Sequence, residues 1–99
     1  MIASFKCKHT EALAGGLRVG RFSNFERIAL RKLRQLQVAG NLIDLSVPPG
    51  NRLEALKGNR KGQHNIRVND QYRICFRWTR AGAEAEDVEI VDYHNGTRR

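Results

Sequence analysis

Residues 63–78 read QHNIRVNDQYRICFRW, and the length of the loop inside them decides how the chain folds. Two segments of strand character, QHNIRV and YRICFRW, flank NDQ. Side chains that face each other across an antiparallel pair share one face of the sheet, so loop length sets which residues align. A two-residue loop, Asn69-Asp70, puts Val68 opposite Gln71 and Ile66 opposite Arg73, mixing apolar with basic. A three-residue loop, Asn69 to Gln71, puts Val68 opposite Tyr72, Ile66 opposite Ile74 and Arg67 opposite Arg73. We take the three-residue loop, because each face then has one character. Ile66, Val68, Tyr72, Ile74, Phe76 and Trp78 form an apolar face, with His64 at its edge. Asn65, Arg67, Arg73, Cys75 and Arg77 form an outward, basic face.

The apolar face needs a cover, and the segments before it supply one. In SNFERIALRKLRQLQVAGN (23–41), Phe25, Ile28, Ala29, Leu33 and Leu36 recur at three- and four-residue steps, which is one stripe of an amphipathic helix. Arg27, Arg31, Lys32, Arg34 and Gln35 fall mainly off the stripe. Ser23 and Glu26 have capping-box spacing, and Gly40-Asn41 is a normal stop. Further upstream, IASFK (2–6) suits a first strand. HTEALAGG (9–16) suits a short helix capped by Thr10 and ended by Gly15-Gly16.

Between helix and hairpin lie a loop punctuated by Pro48-Pro49-Gly50, a strand candidate RLEAL (52–56) and a basic turn KGNRKG (57–62). After the hairpin, RAGAEAED (80–87) reads as a loop and VEIVD (88–92) as the last strand. The sum is an α+β domain spanning 1–99, with two N-terminal helices packed on an antiparallel β-sheet.

Composition narrows the classes of function. The 99 residues are 40% hydrophobic, enough for one core and too little biased for disorder. No apolar stretch approaches the roughly 20 residues of a membrane span, and no secretory signal is legible. Cys7 and Cys75 are too few for a disulfide framework and read as reduced thiols of a cytosolic protein. The formal net charge of +8 points to a polyphosphate or acidic partner. Charge is also sorted along the chain. From Arg52 to Arg80 eight bases stand against two acids, and from Glu84 to Asp92 there are five acids and no base.

Two constellations can carry chemistry. Arginines crowded on one sheet face repel one another, a cost that favours an anionic ligand over a merely solvated edge. Lys57, Arg60 and Lys61 in the neighbouring loop extend that surface toward a phosphate backbone. The second constellation is Asp92-Tyr93-His94, directly after the last strand. It is either a strand end turning polar at water or a proton-transfer cluster. RNA cleavage needs a base for the 2′-hydroxyl, an acid for the 5′-oxygen and cations for the phosphorane, and these residue types supply all three without metal. Strict alternation puts Tyr93 on one face with Val91 and Glu89, and Asp92 and His94 on the other. The three reach one pocket only if the chain bends near Asp92. Cys7 and His9 have no second ligand pair, so no metal site is expected. KGNRKG lacks the spacing of a phosphate-binding P-loop.

LEALKGNRKGQHNIRVNDQYRICFRW followed by DVEIVDYHN resembles the HigB toxins, the killer-protein branch of the RelE-like toxins of bacterial toxin–antitoxin modules. The resemblance runs from IASFK to VDYH. It implies a RelE-like fold, a ribosome-dependent endoribonuclease that cuts mRNA without a cofactor, and a cytoplasmic location. It also implies a HigA-like helix-turn-helix antitoxin, through which alone operator DNA would be reached. Carried over by motif, Lys57 and Arg73 match residues that hold the scissile phosphate. Asp92, Tyr93 and His94 match the C-terminal proton-transfer cluster, with His94 foremost. Arg60 and Lys61 resemble residues of the surface that meets ribosomal RNA, and Arg67 and Arg77 would extend it. Many relatives carry histidine three residues before the lysine, in LHxLKG, where this chain has Glu54. Glu54 beside Lys57 is either a general base or a charge that repels phosphate. Position 64 is often aromatic in relatives, which suits a core-edge His64.

Overall fold

The computed structural model describes residues 1–93. Four antiparallel strands form the sheet in the order β1-β2-β3-β4: β1 Glu54–Ala55, β2 His64–Arg67, β3 Tyr72–Thr79 and β4 Glu84–Asp92. The register of β2 on β3 follows the three-residue loop. Ile66 pairs with Ile74 and Arg67 with Arg73, and the Val68 N–H donates to the Tyr72 carbonyl at 3.0 Å. The Asn69 side chain closes the turn by accepting from the N–H groups of Gln71 and Tyr72, at 2.8 and 2.7 Å.

The apolar face carries the core. Ile66, Ile74 and Phe76 are fully buried beneath helix α2 (Glu26–Val38), whose Ala29, Leu33 and Leu36 turn inward. A shorter helix, α1 (Lys8–Ala14), adds Leu13 to the same core. Tyr72 stacks on Phe25 with ring centroids 4.4 Å apart. Ile28, assigned to the stripe by spacing, lies outside the core at 37% exposure. Lys32, assigned to the polar side, is buried instead.

Several local expectations fail for identifiable reasons. Ser23 does not cap α2, because a 3-10 helix, Gly20–Phe25, carries the chain into it and Phe25 occupies the cap position with no side-chain hydrogen bond. Thr10 does not cap α1 either. It lies inside the helix, buried, with its hydroxyl oxygen accepting from the Ile90 N–H at 3.0 Å. A capping box does form in the segment read as loop, where Asn41 and Asp44 satisfy each other's backbone around the 3-10 helix Leu42–Ser46.

The N-terminal segment makes two isolated parallel bridges to β4, Ile2 to Ala85 and Phe5 to Val88, rather than a regular strand. Strand β4 begins at Glu84, inside the stretch read as loop, and a bulge between Cys75 and Arg77 takes up the extra residue. Asp87 has φ 53 there. In the 57–62 turn, Gly62 has φ +94, a left-handed conformation that favours glycine. No helix among the described residues is long and apolar enough to cross a membrane.

Candidate active site

The second sheet face is neither open nor uniformly basic. Asn65 and Cys75 have no exposed surface. Above them lies a layer of paired charges, because β4 runs antiparallel beside β3 and brings its acids across to the arginines. Arg60 Nη1 donates to Glu89 Oε2 at 3.0 Å and to Gln63 Oε1 at 3.0 Å. Arg77 Nε lies 3.7 Å from Asp87 Oδ2. Arg67 pairs with Asp70, and Arg73 with Glu54 at 3.3 Å. The mutual repulsion expected of this arginine row is therefore answered by acids within the chain. Charges sorted in sequence become complementary in space.

At the centre of this face four side chains and one backbone carbonyl form a bonded group. Arg73 Nη1 donates to Asn65 Oδ1 at 2.7 Å, to Glu54 Oε1 at 3.3 Å and to the Arg52 carbonyl at 3.4 Å. Its guanidinium lies 4.8 Å from the centroid of the Tyr93 ring, over the π face. Tyr93 Oη donates to the same Glu54 Oε1, at 3.1 Å. One carboxylate oxygen thus receives both a cation and a phenol. Arg52 adopts φ 49 to present its carbonyl, a conformation that non-glycine residues seldom hold except where the surroundings impose it. Its neighbour is pinned: buried Asn51 accepts from Lys32 Nζ and donates Nδ2 to Gln35 Oε1 and to the Leu45 carbonyl, each at 2.9 Å.

Burial raises the Tyr93 pKa above the ordinary phenol value, and Glu54 raises it further, while Asn65 and Arg73 act the other way. The proton on Tyr93 is thereby held. Burial likewise pushes the Cys75 thiol up to about 11, so it stays protonated and takes no part as a nucleophile.

Beside the group opens a cavity of about 330 Å³ lined by Leu56, Lys57, Asn59, Arg60, Val91, Asp92 and Tyr93. Lys57 is exposed at its rim. A larger cavity, about 760 Å³, lies on the helical side between the N-terminal segment, α1 and α2. Its lining has three arginines and Glu11 around an apolar floor, and Arg73 and Tyr93 are not among them.

The structure thus brings Glu54, Arg73 and Tyr93 into one bonded set, with Lys57 lining the same cavity as Tyr93. Asp92 contributes to the cavity lining, and its Oδ2 accepts from Gln71 Nε2 at 3.0 Å. It pairs with Tyr72 in the register, which assigns it to the core face, whereas Val91 pairs with Arg73 and the Tyr93 ring lies under the Arg73 guanidinium. His94 lies outside the described residues. Arg60 lines the cavity with Tyr93 while paired to Glu89, Arg67 and Arg77 are paired to Asp70 and Asp87, and Lys61 is exposed without an ion pair among the described residues. Sequence reasoning missed Asn65, Asn51 and the Arg52 carbonyl. Only Asn65 left a signal, as a polar residue within a strand otherwise suited to β-branched side chains. No group of three or more His, Cys, Asp or Glu that could hold a metal occurs among the described residues.

Comparisons with known proteins bear on this geometry. Residues 18–94 match the model of the family described as HigB-like, the RelE-like toxin HigB of type II toxin-antitoxin systems. Toxin HigB-1 of Vibrio cholerae is 52% identical over 56 residues, covering 57% of this chain and 59% of that protein. An uncharacterized protein of Haemophilus influenzae is 38% identical over 56 residues, covering 57% of this chain and 55% of its own. The chain spans little more than half the length of these relatives. Among solved structures, a YoeB/ParE toxin from Agrobacterium tumefaciens aligns over 73% of this chain and 84% of its own, with TM-score 0.45 and 17% identity.

Proposed function

The chain belongs to the HigB-like family, RelE-like toxins of type II toxin-antitoxin systems, and from that premise we propose that it is a ribosome-dependent endoribonuclease that cuts mRNA during translation. The observation that carries this reading is the convergence of Arg73 and the Tyr93 hydroxyl on one oxygen of Glu54. A cation, a carboxylate and a proton donor in contact are what phosphodiester cleavage by an internal nucleophile requires.

In this reading Arg73 and Lys57 hold the scissile phosphate and offset the charge that grows on the phosphorane. The RNA 2′-hydroxyl attacks the adjacent phosphorus. The O2′–P bond forms, the P–O5′ bond breaks, and the products are a 2′,3′-cyclic phosphate and a 5′-hydroxyl. Glu54 takes the 2′ proton, and Tyr93, whose proton is held firmly, returns one to the 5′-oxygen. His94 and Asp92 enter from the family resemblance as further proton-transfer residues. Lys61, with Arg60, Arg67 and Arg77, belongs to the surrounding RNA-facing surface. The protein acts in the cytoplasm as one domain, needs no metal, and is neutralised by a HigA-like helix-turn-helix antitoxin that alone touches operator DNA.

One observation favours a second reading, a non-catalytic ribosome- or RNA-binding module. Glu54 lies against the very cation that would meet a phosphate. Induced expression followed by mapping of mRNA 5′ ends separates the two. The nuclease yields new ends within translated messages, paired with 2′,3′-cyclic termini. Arg73→Ala and Tyr93→Phe should each reduce cutting by about 10²–10³-fold, the range for losing a transition-state cation or an acid. Ribosome binding without new ends would establish the binding module. If both variants cut like the parent, the residues are wrongly assigned.

A further inference from the structure

We propose that Asn65 is a positioning residue that couples Arg73 to Tyr93, fixing the guanidinium with one end of its amide and receiving the Tyr93 phenolate with the other. This rests on the nuclease reading for its role in turnover, but not for the coupling itself.

Asn65 lies in the middle of the sheet, paired with Glu54 on one side and Cys75 on the other, and has no exposed surface. Such a position normally takes an apolar β-branched side chain. Its amide orientation is not arbitrary. Arginine can only donate, so the atom 2.7 Å from Arg73 Nη1 must be the oxygen. That places Nδ2 on the opposite side of the amide. Nδ2 is buried and makes no hydrogen bond among the described residues. Buried donors without partners are rare, and each calls for an explanation.

The chemistry of Tyr93 supplies one. With its proton on, Tyr93 Oη spends that proton on Glu54 at 3.1 Å. Once that proton has passed to the leaving 5′-oxygen, Glu54 carries the 2′ proton and Tyr93 Oη is a charged acceptor in a partly buried setting, where each added donor counts. Asn65 already favours the ionised form of Tyr93 through its side chain. Its N–H is the donor that the phenolate needs, and a bond to the charged oxygen is stronger than one to the neutral phenol. Interactions stronger after charge develops than before are the ones that raise a rate. The same amide locks Arg73 while this happens, so cation and phenol keep their relative geometry.

The test is titration of Tyr93 in the purified full chain, followed by ¹³C NMR of tyrosine Cζ. The chain has two tyrosines, so Tyr72→Phe assigns the signals. Asn65→Leu removes both ends of the amide at similar volume and should shift the Tyr93 titration upward. Asn65→Val removes them at smaller, β-branched volume without adding charge, and should shift it in the same direction. Cys75→Ala, the neighbouring buried position, should leave it in place. Where the parent cuts RNA, both Asn65 variants should lose about 10–100-fold in rate, with the basic limb of the pH profile moving as the Tyr93 titration moves. An unmoved titration in a folded Asn65 variant overturns the coupling, as does an equal shift in Cys75→Ala. If Asn65→Leu does not fold, Asn65→Val alone decides. A parent that cuts no RNA defeats the nuclease reading and leaves the titration to judge Asn65 by itself.

Discussion

His64 opens strand β2 with its ring 6.2 Å from Phe76 in a stacked arrangement and its Nδ1 buried without a hydrogen-bond partner among the described residues. Burial lowers its pKa below the usual histidine value. The sign of the consequence follows from which state takes the proton first. With the folded value below the unfolded one, about 6.5, the unfolded chain protonates earlier as pH falls. The stability contributed by neutral His64 is therefore complete above that unfolded value, and it is lost progressively as the pH drops toward the folded one. His64→Phe keeps the ring contact and removes the titration. Thermal unfolding of the variant should show a shallower fall in Tm from pH 7 to pH 5 than the parent. Parallel curves would mean that His64 is solvated. The place of this residue was legible because alternation alone assigns it to the apolar face. Glu54 was legible only as a choice between base and repulsive charge, since its bonds to Arg73 and Tyr93 cross three strands that the sequence does not align.

At the scale of elements, helix α2 and the hairpin β2–β3 were legible because each carries its own period. What was not legible is how they are joined to the site. Lys32 looks like a surface residue by composition, yet burial and the charges of Arg31 and Arg67 hold its pKa down, and its amine is bonded to Asn51. Asn51 ties four places together: Lys32 and Gln35 on α2, the Leu45 carbonyl, and the Arg67 N–H at 2.6 Å. No local pattern announces such a residue, because its partners lie 6 to 19 positions away. Its loss strands a buried amine and a carbonyl. A hydrogen bond to a charged group contributes about 1.5–3 kcal/mol, so Asn51→Ala should cost at least that. With a slope of about 1.5 kcal/mol/M, the urea midpoint should drop by about 1–2 M. The variant should also relax the φ of Arg52 and slow RNA cutting, because the Arg52 carbonyl then no longer steadies Arg73. A midpoint within a few tenths molar of the parent would show that water replaces the amide at no loss.

Over the whole molecule, the net charge of +8 is distributed in a way the sequence count conceals. Residues 1–50 carry eight Lys and Arg against three Asp and Glu, and residues 51–99 carry ten against seven. On the Arg73 face the arginines are matched by Glu54, Asp70, Asp87 and Glu89, and only pairing of β4 beside β3 reveals two of those matches. The unpaired positive charge open to an anionic ligand near the site therefore resides in exposed lysines rather than in the arginine row. This has a measurable consequence. Neutralising a phosphate releases condensed counterions, and each such contact adds about 0.7 to the slope of log affinity against log salt for single strands. Lys61 is exposed and has no ion pair among the described residues, so Lys61→Gln should reduce the slope by about that amount. Arg77 is held 3.7 Å from Asp87, and its phosphate contact would be offset by a carboxylate that stays behind. Arg77→Gln should then change the slope by less than half as much. Fluorescence anisotropy with a short single-stranded RNA, titrated at several salt concentrations, reads both. Equal slopes for the two variants would show that the acid on Arg77 gives way when RNA binds, and that the arginine row, not the lysines, is the primary RNA surface.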